Sequence, residues 1–103
     1  MFIKVEQQMI KVAFEDLFYL ESFGEYVKVH TTKGMLLTLK SLSYFEERLP
    51  KHQICRIHRS FMVNLDKIDV IEDNEVKIGE KRISISRRLK DDFLEAIKGR
   101  GIF

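Results

Sequence analysis

Residues 56–64 read RIHRSFMVN, and this stretch decides the fold that the sequence predicts. Apolar runs at 54–57 and 61–63 lie on either side of a short polar interval, His58-Arg59-Ser60. Two such runs separated by a few polar residues indicate neighbouring antiparallel strands. The interval offers hydrogen-bond donors without a paired acid, which suits phosphates and the edges of bases. The stretch therefore predicts a hairpin whose turn presents Arg59 and Ser60 to a polyanion.

The extended pattern continues in both directions from this hairpin. Upstream, β-rich runs occur at 2–5, 10–14, 17–21, 26–31 and 35–39, with connections at 6–9, 22–25 and Lys33-Gly34. Downstream, runs at 68–71, 76–78 and 82–85 are joined by hairpin turns at 73–74 and 79–80. These short runs predict a mostly β chain.

Two segments follow the helical period instead. Apolar residues at 42, 45 and 49 predict a short amphipathic helix that begins after Ser41 and ends at Pro50, with Ser43 and Glu46 as its capping box. Apolar residues at 89, 93 and 97 predict a final helix, which Gly99 is placed to end. The fold is therefore mostly β with one or two short helices.

Length and composition indicate one domain that spans residues 1–103. Hydrophobic residues make up 45% of the chain and charged residues 33%, which is enough apolar surface for a packed core. No apolar run is long enough to cross a membrane and no signal-like segment is present, so we expect a soluble cytoplasmic protein. The single cysteine, Cys55, excludes an internal disulfide framework.

Positive charge is concentrated in the second half of the chain. The net charge is only +2, but from Lys51 onward the residues include twelve Lys and Arg against nine Asp and Glu. Ser86-Arg87-Arg88 stands where the last predicted strand meets the last helix. Cations at a helix amino terminus oppose the helix dipole, so an external phosphate or base is the simplest group to compensate them.

Ordinary structural roles compete with a binding role for several of these residues. Arg56 suits an ion pair, His58 a packed histidine, and Asn64 a cap for the turn that follows it. Both interpretations stay open at this point. Arg59 and Ser60 lie in the turn itself, which favours a binding role for them.

Catalysis and metal binding are poorly supported by the sequence. Cys55, His30, His52 and His58 lack the spacing of a zinc site, and no nucleophile motif occurs. The carboxylate pairs at 46–47 and 91–92 lie on the polar faces of predicted helices, where solvation is their ordinary role. We therefore expect neither an enzyme nor a bound metal or cofactor.

The order of motifs resembles that of the LytTR DNA-binding domains over nearly the whole chain. The matching segments are Glu15-Asp16-Leu17-Phe18-Tyr19-Leu20-Glu21, Gly24-Glu25-Tyr26-Val27, Ser41-Leu42, Leu49-Pro50, residues 56–64, and Ser86-Arg87-Arg88. The stretch at 56–64 with its downstream SRR is far more specific than a generic basic patch.

The resemblance implies an elongated fold of about ten short antiparallel strands in small sheets with one or two short helices. It also implies sequence-specific binding of double-stranded DNA, with loops in successive major grooves. Carried over to this chain, the base contacts are Arg59, Arg88, Tyr26 and Glu25. Glu25 is a departure, because a carboxylate near phosphate is repulsive unless it accepts from cytosine N4 or meets a cation.

Further residues are expected to contact phosphate or to support the loops. His58, Asn64 and Ser86 are expected to orient the loops, and Arg56 to do this or to contact phosphate. The residues expected at phosphates are Ser60, Arg87, Lys28, Lys40 and Lys67.

The resemblance further implies a place in a bacterial two-component transcription regulator. Its partners would be direct repeats in promoter DNA, a second copy of the domain on that DNA, and an amino-terminal receiver domain. The abrupt start on Phe2-Ile3-Lys4-Val5 favours an effector domain cut from a longer regulator over a stand-alone one.

Two functions of other classes remain as alternatives. One is a strand-edge protein-interaction module, and the other is a small barrel that binds single-stranded nucleic acid by stacking bases on Tyr19, Phe23 and Tyr26. Equal affinity for single strands and duplex would favour the barrel.

Overall fold

The computed structural model describes all 103 residues as ten strands and two α-helices. The strands are β1 (Phe2–Val5), β2 (Gln8–Lys11), β3 (Leu17–Phe23), β4 (Tyr26–Thr31), β5 (Gly34–Thr38), β6 (Ile54–His58), β7 (Phe61–Asn64), β8 (Val70–Glu72), β9 (Glu75–Ile78) and β10 (Lys81–Ser84). The helices are α1 (Leu42–Arg48) and α2 (Lys90–Lys98), and short 3-10 turns occupy Phe14–Asp16, Leu65–Lys67 and Arg87–Leu89.

A five-stranded antiparallel sheet forms the centre of the molecule, in the order β5-β4-β3-β7-β6. Side chains alternate between its two faces, as the period of a strand requires. Leu20 and Met62 pack into one hydrophobic core, whereas Val63 and the half-buried Tyr19 pack into another on the opposite face. The sheet is therefore covered on both sides.

Different elements cover the two faces. The β1–β2 hairpin and α1 bury Ile3 and Phe45 in the first core, while the β8–β9–β10 sheet and α2 bury Val76 and Phe93 in the second. Phe93 is fully buried, and a buried phenylalanine typically contributes about 1.5–3 kcal/mol. These two cores fix the sheet whose end carries the candidate site.

The first hairpin differs from the sequence prediction. The second strand was expected at 10–14 but spans Gln8–Lys11, because Val5 pairs with Gln8 and leaves only Glu6 and Gln7 in the turn. Glu6 takes φ 54°, the left-handed conformation that tight hairpin turns require. Phe14 consequently lies in a 3-10 turn and not in a strand.

Several other boundaries also move. β3 continues to Phe23, so the expected loop at 22–25 shrinks to Gly24-Glu25, with Gly24 at φ 59°. The cap of α1 is Ser41, whose Oγ accepts from the Tyr44 amide at 3.1 Å; the capping box predicted at Ser43 is wrong. β8 lies at 70–72, later than the run predicted at 68–71.

The predicted fold class is confirmed: short antiparallel strands form three small sheets, with two short helices, in a molecule of 44 × 25 × 24 Å. The sheets do not close into a barrel, since the central sheet ends in the edge strands β5 and β6. No helix is long and apolar enough to span a membrane.

Candidate nucleic-acid interface

Three polar connections meet at one end of the central sheet. Gly24-Glu25 joins β3 to β4, and Arg59-Ser60 joins β6 to β7. Both turns lie at the same end because β3 and β7 are antiparallel neighbours, and there the Ser22 amide donates to the Ser60 carbonyl at 2.8 Å. The first two connections therefore share a backbone hydrogen bond.

The third connection is tied to the same end by another backbone contact. The Ser86 amide donates to the Ile57 carbonyl at 2.7 Å, which holds residues 86–88 beside the end of β6. Strands lie about 4.8 Å apart, so the two turns of the central sheet are separated by about 10 Å. We call residues 24–26, 58–60 and 86–88 the loop row.

A β-bulge shapes the middle of the loop row. Arg56 pairs with Met62 and His58 pairs with Phe61, so β6 carries one extra residue, the fully buried Ile57. A bulge bends its strand and redirects the following side chains. The His58 ring then turns inward, and its Nδ1 accepts from the Ser60 amide at 3.1 Å. His58 therefore organises the turn.

The Arg56 guanidinium is occupied by the protein itself. It donates from Nε to the His58 carbonyl at 3.4 Å and from Nη2 to the Arg59 carbonyl at 2.6 Å. Its Nη1 donates to Ser43 Oγ at 3.2 Å and to Glu46 Oε1 at 3.0 Å. A guanidinium has five N–H donors, so little capacity remains for phosphate. The structure places Arg56 as a support of the turn.

Three arginines of the loop row have no such partners. Arg59, Arg87 and Arg88 are exposed, and none of them forms an ion pair or a side-chain hydrogen bond. By contrast, Arg48, Arg82 and Arg100 pair with carboxylates elsewhere on the surface. The unpaired guanidinium groups are thus concentrated in this row.

The strand-to-helix junction explains how Arg87 and Arg88 are displayed. Ser86 caps the 3-10 turn, with its Oγ accepting from the Leu89 amide at 3.3 Å, and Leu89 is buried. Ser86 and Leu89 anchor the two ends of the turn, which leaves both arginine side chains on the outside.

The first connection is exposed and mixed in charge. Glu25 and Tyr26 are exposed, and Phe23 before them is 53% exposed. Lys28 Nζ lies 3.9 Å from the centroid of the Phe23 ring, which is a cation–π contact. This connection therefore displays an acidic and an aromatic side chain, with Lys28 held over the Phe23 ring beside it.

Two predicted residues lie outside the loop row. Asn64 is fully buried at the far end of β7, where its Nδ2 donates to the Phe14 and Leu17 carbonyls, each at 2.7 Å. Lys67 follows Asn64 and lies over the Phe18 ring, again at the far end of the sheet. Asn64 cannot reach a phosphate, and Lys67 does not join the residues that the loops bring together.

Lys40 lies at the same end of the sheet as the loop row. It follows β5, whose last residues face the start of β4, and its Nζ lies 4.5 Å from the centroid of the Tyr44 ring. The structure also adds Lys81, which the sequence did not single out. Its Nζ lies 5.3 Å from the centroid of the ring of Phe61, the residue after the Arg59-Ser60 turn.

Glu46 corrects an expectation about the helical carboxylates. We expected Glu46 and Glu47 to be solvated alike, but Glu46 pairs with Arg56 at 3.0 Å while Glu47 lies 3.6 Å from the exposed Arg48. No sequence signal distinguishes the two, because the contact depends on how α1 lies against β6.

The cysteine and histidines have local roles. Burial, with a smaller effect of the Asp92 and Glu46 carboxylates, raises the pKa of the Cys55 thiol to about 11. A thiolate is the reactive form of cysteine, so this group is a poor nucleophile.

The His30 ring stacks on Tyr19, with centroids 4.2 Å apart, and its Nε2 lies 3.0 Å from Glu21 Oε1. The His30 ring therefore already occupies one face of the half-buried Tyr19 ring, which leaves it a poor platform for stacking bases.

Comparison with known proteins agrees with this geometry. A model of the LytTr DNA-binding domain family matches residues 7–98. A solved LytTr DNA-binding domain from a Bacillus cereus response regulator superposes with a TM-score of 0.80 at 27% identity, covering 94% of each chain.

Curated bacterial relatives match over a shorter stretch. The chain is 30% identical over 70 residues to the sensory transduction protein LytT of Bacillus anthracis, which covers 68% of this chain and 28% of that protein. It is 31% identical over 67 residues to the transcriptional regulatory protein YpdB of Escherichia coli K12, covering 65% of this chain and 28% of that protein. The aligned stretch thus corresponds to about a quarter of each relative.

Proposed function

Because the chain belongs to the LytTR family of DNA-binding domains, we propose that it recognises a specific promoter duplex by placing the loop row in the major groove. The observation that carries this proposal is the row of unpaired arginines on a backbone frame held by buried and hydrogen-bonded supports. A rigid frame reduces the ordering cost of binding, so more of the interaction energy reaches the base contacts.

Arg59 and Arg88 are the base-reading residues in this proposal. An arginine guanidinium binds the O6 and N7 atoms of guanine with two parallel hydrogen bonds, the commonest specific contact in the major groove. Both side chains are exposed and lie on separate connections of the loop row. Each therefore reads a different base pair of the site.

The Glu25-Tyr26 connection reads a third position. The Glu25 carboxylate accepts from a cytosine N4 amino group, and the Tyr26 ring packs beside it against the groove.

Phosphate contacts orient the domain on the duplex without reading sequence. We assign them to Lys28, Lys40, Ser60 and Arg87, and we add Lys81 because its ammonium lies beside the central turn without a carboxylate partner. Lys67 is left out, since it lies at the opposite end of the sheet. His58, Ser86 and Arg56 support the loops from within.

The relatives support a proposal about the full regulator. Proteins named for sensory transduction and transcriptional regulation contain this domain as about a quarter of their length. We infer that the chain is the effector part of a bacterial two-component regulator in the cytoplasm, preceded by a receiver domain. Two copies would bind direct repeats, and the function would be binding, not catalysis.

Selection of bound duplexes from a random pool tests the target. A single enriched motif, repeated at a fixed spacing, is expected. Equal affinity for the enriched duplex and for its separate single strands would count against recognition in the major groove and would favour binding of single strands. A pool without enrichment would favour the strand-edge module, for which the exposed edge strand β8 is the available surface.

Alanine substitutions then test the residue roles. Arg59→Ala and Arg88→Ala should each weaken binding to the selected site by about 1–3 kcal/mol and relax the sequence preference at one base pair. Arg48→Ala removes the same charge from a residue that pairs with Glu47, so it is the matched control. Fluorescence anisotropy at fixed salt measures all three, and binding unchanged by both row substitutions would refute the assignment.

A further inference from the structure

The first helix is connected to the central turn of the loop row through a single side chain. Leu42 and Phe45 bury one face of α1 in the first core, so the helix is fixed on the sheet. From its other side, Ser43 and Glu46 hold Arg56 Nη1 at 3.2 and 3.0 Å. The Arg56 side chain is only 16% exposed.

Arg56 in turn forms hydrogen bonds to the backbone that carries Arg59. Its Nη2 donates to the Arg59 carbonyl at 2.6 Å and its Nε to the His58 carbonyl at 3.4 Å. Both carbonyls belong to the turn itself, so the direction in which Arg59 leaves the sheet depends on where the guanidinium lies. A guanidinium is a rigid planar fork, and fixing one of its nitrogens orients the others.

We propose that Glu46 is a positioning residue for base recognition: through Arg56 it sets the conformation of the turn that presents Arg59. This inference rests on the proposed function, because it assigns a determinant of specificity outside the contact surface. Glu46 lies in α1 and belongs to none of the three connections of the loop row.

The carboxylate is required because a largely buried cation needs a compensating charge. Without Glu46, the Arg56 guanidinium gains solvation by turning outward, and the His58 and Arg59 carbonyls lose their donor. The free cation then lies near the phosphates. Cognate affinity should therefore fall while affinity for unrelated duplexes stays level or rises, which separates positioning from general damage to the fold.

Glu46→Ala and Glu47→Ala form a matched pair for the test. Both remove one carboxylate from neighbouring residues of the same helix, and alanine preserves helix propensity. Glu47 is 75% exposed and has no contact with the turn. We expect Glu46→Ala to lower the ratio of cognate to unrelated affinity about tenfold, as couplings through direct contacts do, and Glu47→Ala to leave that ratio unchanged.

A double-mutant cycle with Arg59→Ala tests whether Glu46 acts on DNA recognition through Arg59. If Glu46 acts through Arg59, the Glu46→Ala effect on the ratio should disappear in the Arg59→Ala background. An effect that persists in full, or equal behaviour of the Glu46 and Glu47 variants, overturns the inference. Arg59→Ala without effect on its own would instead refute the base-reading role proposed for Arg59, so the two failures are distinguishable.

Arg56→Lys provides a second variant, with the folded fraction of each protein checked by thermal melting. Lysine keeps the charge beside Glu46 but cannot hold both turn carbonyls at once. It should lower the ratio of affinities as Glu46→Ala does. A lysine variant that reads DNA like the wild type would show that the turn needs only a charge, and the inference would fail.

Discussion

Substitution of Asn64 by alanine should destabilise the domain by about 3 kcal/mol without removing a contact to DNA. The side chain is fully buried and makes four hydrogen bonds. Its Nδ2 donates to the Phe14 and Leu17 carbonyls, and its Oδ1 accepts from Gln53 Nε2 at 2.7 Å and from the Asp66 amide at 3.1 Å.

The magnitude follows from what alanine leaves behind. The Leu17 carbonyl loses a donor in a buried setting and the Phe14 carbonyl in a part-buried one, at about 1 kcal/mol each. Loss of the cap on the Asp66 amide adds about 1 kcal/mol. For a domain of this size, about 3 kcal/mol corresponds to a melting temperature lower by about 12 °C or more.

Thermal melting followed by circular dichroism and urea titration measure this loss. Asn74→Ala is the matched control, because the Asn74 side chain is exposed and accepts only from Lys90 Nζ at 3.0 Å. It should shift stability by less than about 0.5 kcal/mol. DNA affinity of the folded Asn64→Ala protein should match the wild type. Normal stability with weakened DNA binding would refute the reasoning and return Asn64 to the interface.

Three further predictions concern charge and reactivity. Lys28→Ala should weaken binding to all duplexes alike and reduce the slope of log affinity against log salt concentration by about one unit. Lys67→Ala should change neither the affinity nor this slope. Anisotropy titrations over a range of salt concentrations test both variants. Hydrogen bonds from Gln53 and Arg100 lower the pKa of the Asp66 carboxyl in the folded protein. The ionised carboxylate therefore contributes its full stabilisation above the pKa of the unfolded chain, and this contribution is lost as the pH falls through the pKa of the folded state. Urea titrations at pH 7 and near pH 3 should therefore give a smaller acid-induced loss for Asp66→Asn than for the wild type, and parallel losses would exclude this contribution. The Cys55 thiol, with its pKa raised to about 11, should react slowly with iodoacetamide at pH 8 in the native state and quickly in urea; equal rates would contradict its burial.

Local patterns in the sequence predicted most of the strands because their cause is local. The alternation at 26–31 reflects a strand with one fully buried face, and the nearly continuous apolar runs around 54–63 reflect strands buried on both faces. Turn lengths were less predictable. Glu6 in the left-handed conformation and the continuation of β3 to Phe23 depend on the pairing register, which is set by both strands of a hairpin together.

In the candidate site, too, some residues could be selected from the sequence and other contacts could not. The donors at Arg59 and Arg88 could be selected from their sequence context, because polar residues between strands are exposed almost by necessity. The partners of Arg56 and Asn64 could not be assigned. Asn64 bonds to the Leu17 carbonyl 47 residues away, and Arg56 bonds to Glu46 across the space between a helix and a strand. Such contacts are products of the tertiary fold.

The backbone hydrogen bonds that tie Ser22 to Ser60 and Ser86 to Ile57 have an evolutionary consequence. The frame of the interface is held by main-chain atoms and buried supports, so the residues displayed on it are free to be exchanged. If Arg59 and Arg88 read bases as proposed, replacing either one should change the preferred operator while the fold is retained. Under this proposal a few surface substitutions would suffice to direct the domain to a new promoter, and a library randomised at these two residues would test it.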